Sequence, residues 1–290
     1  MSIGVPVCNE DRFLEESLQS LLSQDYGNME IIISDNASTD RTEEICREFS
    51  ARDKRISYYR LESNQGAGAN FRRVLEHARG KYFMWAAGHD LWSPKLISDC
   101  VHLLEAEPAA VIAFGSCKWV DASGQPMLKA SGWTDTRGRD AVGRFFTVFW
   151  GNMHPIYGVI RLEALRKARL LSCVGMDLVL LSELALIGDF VHATAALWSR
   201  REFRQAERHQ ERMNRYRSTE YGLSHSPVDR MFPLARLPLE LARAVLRSEI
   251  SWLEKLAILG ILMPSLPVKY VIGRRQRSFS GSESIQSHPR

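Results

Sequence analysis

Cysteine is scarce in this chain and follows no pattern. Cys8, Cys46, Cys100, Cys117 and Cys173 are five residues among 290, with no CxxC pair. An odd, dispersed set argues against a disulfide framework, and buried free thiols in a reducing cytoplasm are expected. Long hydrophobic runs are absent as well. The best one, Leu256 to Val268, lies between Lys255 and Lys269 and carries Pro264 and Pro267. It falls short of the ~20 residues a membrane span needs, and reads as a core helix or an interfacial one. No signal peptide is expected ahead of Ile3, because a strand pattern begins there almost at once. Charge of one sign is also modest. A formal net charge of +4, without a Lys/Arg-rich block or a base-stacking aromatic motif, gives no case for nucleic acid. No internal repeat is visible. With 45% hydrophobic and 25% charged residues, the composition is that of ordinary globular protein.

The first half alternates two periodicities. Ile3 to Cys8 reads as a strand, and Asn9 to Gln24 as a helix with Leu14, Leu18, Leu21 and Leu22 on one face. Met29 to Ser34 is a second strand. A helix then starts near Asp40 and Glu43, which have capping-box spacing. Ile56 to Leu61, helix Gly68 to Ala78 and strand Lys81 to Ala87 continue the series, with Gly80 as a terminator. Such alternation predicts an α/β domain with a mostly parallel central sheet flanked by helices. Beyond Pro94 the pattern loosens. A helix to Glu107, a strand from Ala110 to Val120 and a turn at Asp121 to Gly124 are expected. Later come helices at 140–150 and Leu178 to Leu186, and a strand from Phe190 to Ser199. From Ala206 the chain reads as helical and Arg-rich, and after Gly273 it has the composition of a structureless tail.

Polar clusters follow three of the strands: Asn9-Glu10, Asp35-Asn36 and His89-Asp90. Taken singly, each is explained by helix capping, for which Asn, Asp and Ser are preferred. A parallel sheet, however, puts the carboxyl ends of its strands on one edge, where open α/β sheets bind ligands. Three clusters on that edge, with Asn64-Gln65-Gly66 in an intervening loop, favour a ligand site. No GxGxxG follows Val7, which excludes a dinucleotide-binding enzyme. Cys8-Asn9-Glu10-Asp11 stands where a nucleotidyltransferase has its Gly-rich phosphate loop, and counts against that class too.

The ordered set resembles the inverting family-2 glycosyltransferases, which have the nucleotide-sugar-binding GT-A fold. The matching residues are Val5-Pro6-Val7-Cys8-Asn9-Glu10, Ser34-Asp35-Asn36-Ala37-Ser38-Thr39-Asp40, Asn64-Gln65-Gly66 with Asn70, and Gly88-His89-Asp90. The likeness covers about the first 120 residues well and continues weakly to about residue 201. It implies that Pro6, Val7 and Glu10 line a nucleotide pocket and that Asp35 accepts a hydrogen bond from the base. Asn64, Gly66 and Asn70 would shape the loop beside the nucleotide and its sugar. Asp90 would sit at the diphosphate with a divalent cation, Mn²⁺ or Mg²⁺, which offsets charge on the leaving group.

The acidic triplet departs from the family's Asp-x-Asp: Gly88 holds the first position and His89 the middle one. Three readings stay open. The cation is held by Asp90 and phosphates alone; or His89, counted among the nucleotide-sugar residues, adds a nitrogen ligand suited to Mn²⁺; or metal affinity and activity are reduced. For the base that deprotonates the acceptor, the family form of an acid ahead of a helix followed by Gly fits Asp177, with Gly188 beyond it. Helix capping is the plain alternative for Asp177. Glu183 is a weaker candidate that reads as a solvated helix-face carboxylate. His154 reads as a loop histidine or an acceptor contact, and Arg200 and Arg201 as surface residues or phosphate contacts.

These readings give residues 1–204 as one GT-A type domain, with 1–120 as the nucleotide-sugar half and 121–204 as the acceptor half. Residues 205–272 form a helical extension and 273–290 a disordered tail. The basic and apolar residues from Arg236 to Trp252 suit a membrane surface, packing on the domain, or a homo-oligomer interface. The resemblance implies transfer of a sugar from a nucleotide-diphosphate donor, with inversion, to a saccharide or lipid-linked acceptor. Bacterial surface polysaccharide or glycolipid assembly, in the cytoplasm or at the inner face of the plasma membrane, is the implied setting. The alternative is a catalytically weak or inactive nucleotide-binding member of the fold.

Overall fold

The computed structural model describes residues 1–129, 131, 135–171, 173–203, 210–211, 214, 231 and 234–283, with side chains through residue 269. Its centre is one sheet of eight strands. β1 (Ser2–Val7), β2 (Glu30–Asp35), β3 (Ile56–Arg60) and β4 (Tyr82–Trp85) come from the alternating first part of the chain. β5 (Leu91–Trp92), β6 (Ala110–Val120), β7 (Val159–Arg161) and β8 (Asp189–Arg201) complete the order β3-β2-β1-β4-β7-β6-β8-β5. β1 pairs in parallel with β2 and β4, β2 with β3, and β6 with β8. β7 runs antiparallel to both β4 and β6, and β5 antiparallel to β8.

The strands are apolar on both faces because both faces are covered. On one side lie α1 (Leu14–Leu22), α2 (Thr42–Arg52) and α4 (Leu96–Ala106), packed on Ile3, Val5, Ile31 and Ile33. On the other lie α3 (Ala67–Glu76), α5 (Ala141–Trp150), α6 (Leu162–Lys167) and α7 (Met176–Ile187), over Ile32, Phe83, Trp85 and Phe190. Gly4 is required in β1, since a Cβ there would stand 2.7 Å from Phe83 and Val74 side-chain atoms.

Two departures from the sequence reading bear on the site. α1 begins at Leu14 and not at Asn9, because Asn9 sits in the left-handed region (φ 54°) and the chain turns until residue 13. α2 lacks the expected capping box: its first residue is Thr42, Asp40 accepts the Thr42 N–H (3.0 Å), and Glu43 pairs with Arg47 and Arg60 instead. β5, β7 and α6 are too short for periodicity to show.

Two more helices follow, α8 (Arg236–Arg247) and α9 (Trp252–Glu283). α9 continues through Pro264 and Pro267 and past Gly273, where the sequence places the start of a structureless tail. The Arg-rich stretch from Ala206 lies almost wholly outside the described residues, as do residues 284–290 of the tail. No helix among the described residues is long and apolar enough to cross a membrane.

Candidate active site

Register brings the polar strand ends together. Val7 pairs with Asp35, and Asp35 with Arg60, so β1, β2 and β3 end level. The loops beyond β1 and β2 are then bonded to each other. Backbone N–H groups of Asn9, Glu10 and Asp11 donate to Ser38 Oγ (3.0 Å), Thr42 Oγ1 (2.9 Å) and Asp40 Oδ2 (3.1 Å). The Asn9 side chain returns the bond, accepting from the Thr39 N–H at 2.8 Å. The residues after β2 thus do more than start a helix: they hold the loop that follows Pro6 and Val7 of β1 and carries Glu10.

Asp35 is wholly buried beneath this corner. Its Oδ1 accepts from the Ser38 N–H (2.9 Å) and hydroxyl (2.5 Å), and its Oδ2 from the Tyr58 hydroxyl (2.9 Å). Arg60 Nε lies 3.5 Å from the same Oδ2 and 2.8 Å from Glu43. Burial, and then the Asp35 carboxylate, push the Tyr58 phenol well above its ordinary range, which keeps it a donor. In this arrangement three of the carboxylate's roughly four acceptor sites are taken by the protein's own donors.

The next loop is closed by asparagines. Asn64 Oδ1 accepts from Asn36 Nδ2 and from the Gly66 N–H, each at 2.8 Å, while Asn36 Oδ1 accepts from the Gln65 N–H at 2.9 Å. Gly66 has φ 84°, a conformation suited to glycine, and it opens α3. Asn70, on the first turns of α3, donates to the Val7 carbonyl (3.1 Å), and its buried Oδ1 has no hydrogen-bond partner.

Beyond β4, Asp90 is buried and accepts the Arg201 N–H at Oδ1 (2.9 Å). Burial raises its carboxyl above the ordinary value, against the pull of His89, of the Arg201 N–H and of Arg200. His89 Nδ1 stands 3.0 Å from Glu10 Oε2, and its Nε2 is 4.0 Å from Asp90 Oδ1. Gly88 is packed: a Cβ there would meet Val7 Cγ1 at 3.1 Å and Leu14 Cδ1 at 3.2 Å. Hydrophobic core fills the place of the first acid of an Asp-x-Asp triplet. No group of three or more His, Cys, Asp or Glu among the described residues is arranged to hold a metal. One buried carboxylate fits a cation whose remaining ligands are donor phosphates and water. A cage made of protein alone is not built here.

The remaining sequence-predicted residues lie on β6, β8 and α7 and in the segment before β7. Gly175, with φ 79°, precedes α7, and Asp177 lies in its first turn with Oδ1 accepting the Leu178 N–H at 2.9 Å. Burial raises the Asp177 carboxyl, opposed by backbone N–H groups and by the charges of Lys269 and Arg200. Arg200 therefore acts on both Asp90 and Asp177. Its guanidinium lies over the Trp119 ring at 4.9 Å, and Lys129 lies over the same ring at 3.6 Å. His154 packs against Trp119 and Trp198 (5.7 and 5.6 Å between centroids), with Nδ1 buried and unpartnered. Burial, with Arg200 and Lys129, lowers its pKa to about 4, so the ring is neutral near pH 7.

Glu183 does not behave as a solvated carboxylate. It is buried and accepts from the Arg169 N–H and Nε, each at 2.6 Å. Sequence reasoning also passed over Tyr58 and Trp119. Alternation along β3 puts Tyr58 and Arg60 on one face, which is the only signal that could have paired them with Asp35.

The chain matches the family model "Glycosyl transferase family 2" over residues 2–162, more than half its length. Among curated proteins it is similar to the putative glycosyltransferase EpsE of Bacillus subtilis (strain 168), 36% identical over 106 residues, 36% of this chain and 38% of that protein. It is also similar to the putative teichuronic acid biosynthesis glycosyltransferase TuaG of the same strain, 28% identical over 129 residues, 44% of this chain and 51% of that one. The chain thus spans from about two fifths to half the length of these relatives. Among solved structures, S. aureus TarS 1–349 in complex with UDP-GlcNAc superposes with a TM-score of 0.65 at 18% identity, covering 90% of this chain and 71% of that one. That likeness shows the GT-A type of fold: a central sheet flanked by helices, with helices at the C-terminal end. By its matched residues, the chain belongs to glycosyl transferase family 2.

Proposed function

We propose that this chain moves a sugar from a nucleoside-diphosphate donor to an acceptor hydroxyl with inversion at the anomeric carbon. The observation that carries this reading is a pair of acids, buried Asp90 and half-buried Asp177, whose carboxyls both feel the charge of Arg200, with Asp90 next to the closed loops of the nucleotide half. UDP-GlcNAc bound to TarS supports the donor class, and the teichuronic acid biosynthesis in the name of TuaG supports a role in surface polysaccharide assembly.

Residues 1–120 bind the donor and 121–204 the acceptor, a saccharide or lipid-linked sugar, while the part from 205 onward is an extension. Pro6, Val7, Glu10, Asn64, Gly66 and Asn70 shape the nucleotide pocket, and Asp35 acts there chiefly by fixing Ser38 and Tyr58. His89, held by Glu10, borders the diphosphate. Asp90 would hold a divalent cation, Mn²⁺ or Mg²⁺, which when bound offsets charge on the leaving diphosphate. Arg200, fixed on Trp119, contributes positive charge to the same region. Asp177, its basicity raised by burial, takes the proton of the acceptor hydroxyl.

Replacing Asp177 by Asn should abolish transfer and leave nucleotide binding intact. Calorimetry with UDP, GDP and dTDP, together with hydrolysis of a panel of nucleotide sugars, checks both halves; near-normal turnover in the variant would remove Asp177 as the base. The packed Gly88 favours a second reading, a catalytically weak nucleotide-binding member of the family. Binding with no metal dependence and no hydrolysis of any nucleotide sugar would support it.

A further inference from the structure

The outward face of α9 is apolar where a surface helix is usually polar, and that of α8 mixes leucine with arginine. Each helix uses one face to join the core: Leu241 and Val245 on α8, and Ile258 and Leu262 on α9, are fully buried against the α7 side of the sheet. On the opposite side of α9, Trp252 is 68% exposed, Leu253 80%, Leu256 64% and Met263 61%. Leu253, Leu256, Gly260 and Met263 recur at helical spacing, so they form one stripe. No charged residue interrupts the sequence between Leu256 and Val268. Leu239 and Leu246 are exposed on α8. Exposed apolar surface of this continuity marks an interaction site.

Charge selects the occupant. Arg243 and Arg247 stand exposed one turn apart on α8, beside Leu239 and Leu246. Arg243 also donates to the buried Glu240 at 2.7 Å; the acidic neighbours at the surface are Glu249 and Glu254, and Glu254 is taken up by capping Ser251 at 2.7 and 2.9 Å. Lys269, Arg274, Arg275 and Arg277 follow the apolar run in sequence. A second copy meeting this face about a two-fold axis would bring the same arginines together, which disfavours a self-interface. Apolar stripe, border tryptophan and flanking arginines match a lipid surface bearing negative headgroups. The run is too short to span, so the helices would lie in the interfacial plane.

We propose that the outward face of α8 and α9 docks this protein on an anionic bilayer surface, with Leu253, Leu256 and Met263 entering the acyl boundary and Arg243 and Arg247 meeting headgroup phosphates. The full-length chain should sediment with vesicles of phosphatidylcholine and phosphatidylglycerol far more than with phosphatidylcholine alone. Leu253→Glu with Leu256→Glu should abolish sedimentation, with an unchanged thermal midpoint because both side chains are exposed. Arg247→Gln should lower the partition coefficient about fivefold at low salt. Wild type and the double leucine variant partitioning equally would overturn the proposal. So would a dimer in analytical ultracentrifugation that the leucine changes dissociate, without vesicle binding by wild type; the face would then belong to a second copy. No nucleotide enters the measurement, so its failure is separate from failure of the proposed activity.

Discussion

Gly88 and Asp35 show how far one residue's environment shifts its meaning. At Gly88 the sequence presents a missing carboxylate, and the structure presents a filled space, with Val7 and Leu14 within 3.2 Å of where a Cβ would be. Rebuilding the triplet by Gly88→Asp should therefore destabilise the fold by about 1–3 kcal/mol, the usual range for overpacking. Urea denaturation checks this; an unchanged midpoint would mean that Val7 and Leu14 give way freely. At Asp35 the sequence presents an acid at a strand end, ready for a ligand. The structure surrounds it with Ser38, Tyr58 and Arg60. An interior carboxylate with three protein donors serves first to fix the loop around it.

At the scale of elements, the clearest coupling joins α7 to α8. Arg169 bridges buried Glu183 and buried Glu240, its Nη1 lying 2.9 Å from Glu240. Arg243 and Arg236 reach the same Glu240 at 2.7 and 3.4 Å. Burial disfavours the Glu240 anion, but hydrogen bonds from Arg243, Arg236 and Arg169 outweigh it and hold the carboxyl below its ordinary value. Glu240→Ala should cost about 3 kcal/mol, the low end for breaking a buried pair, because Arg236 and Arg243 can be rehydrated. The sign with pH follows from the lowered value. The contribution is full above the ordinary carboxylate range and fades as pH falls through the lowered one. A Glu240→Gln variant should thus lose its disadvantage in acid; a gap in denaturation midpoint that stays constant down to acid pH would contradict this.

Across the whole molecule, α9 is electrically tied to the first turn of α7. Lys269 of α9 donates to the Phe149 carbonyl at the end of α5, lies 5.0 Å from the Phe149 ring, and lowers the pKa of Asp177 while burial raises it. If Asp177 is the base, as proposed, it must be ionised, so kcat/KM should fall as pH drops through its raised value. Lys269→Met removes an opposing charge and should move that acid limb to higher pH. A limb that stays in place or moves down in pH–rate profiles of the two proteins would show that Lys269 does not act on the base.

Much of this was legible beforehand, and for a local reason. Strands β1 to β4 and helices α1 to α4 carry their periodicity in short windows, and the polar residues after each strand announce a ligand edge before any coordinates exist. The α/β class, the family and the cluster at residues 9–10, 35–36, 64–70 and 88–90 are set at that level. What tertiary structure alone decided are the pairings. Ser38 and Thr42 cap a loop some thirty positions away, Arg200 settles over the Trp119 ring, and Glu183 turns inward to Arg169. The apolar run at 256–268 is one string of letters, yet packing divided it into a buried face and an exposed one. Sequence periodicity records which faces of an element are apolar; only the partners packed on those faces determine which become core and which remain surface.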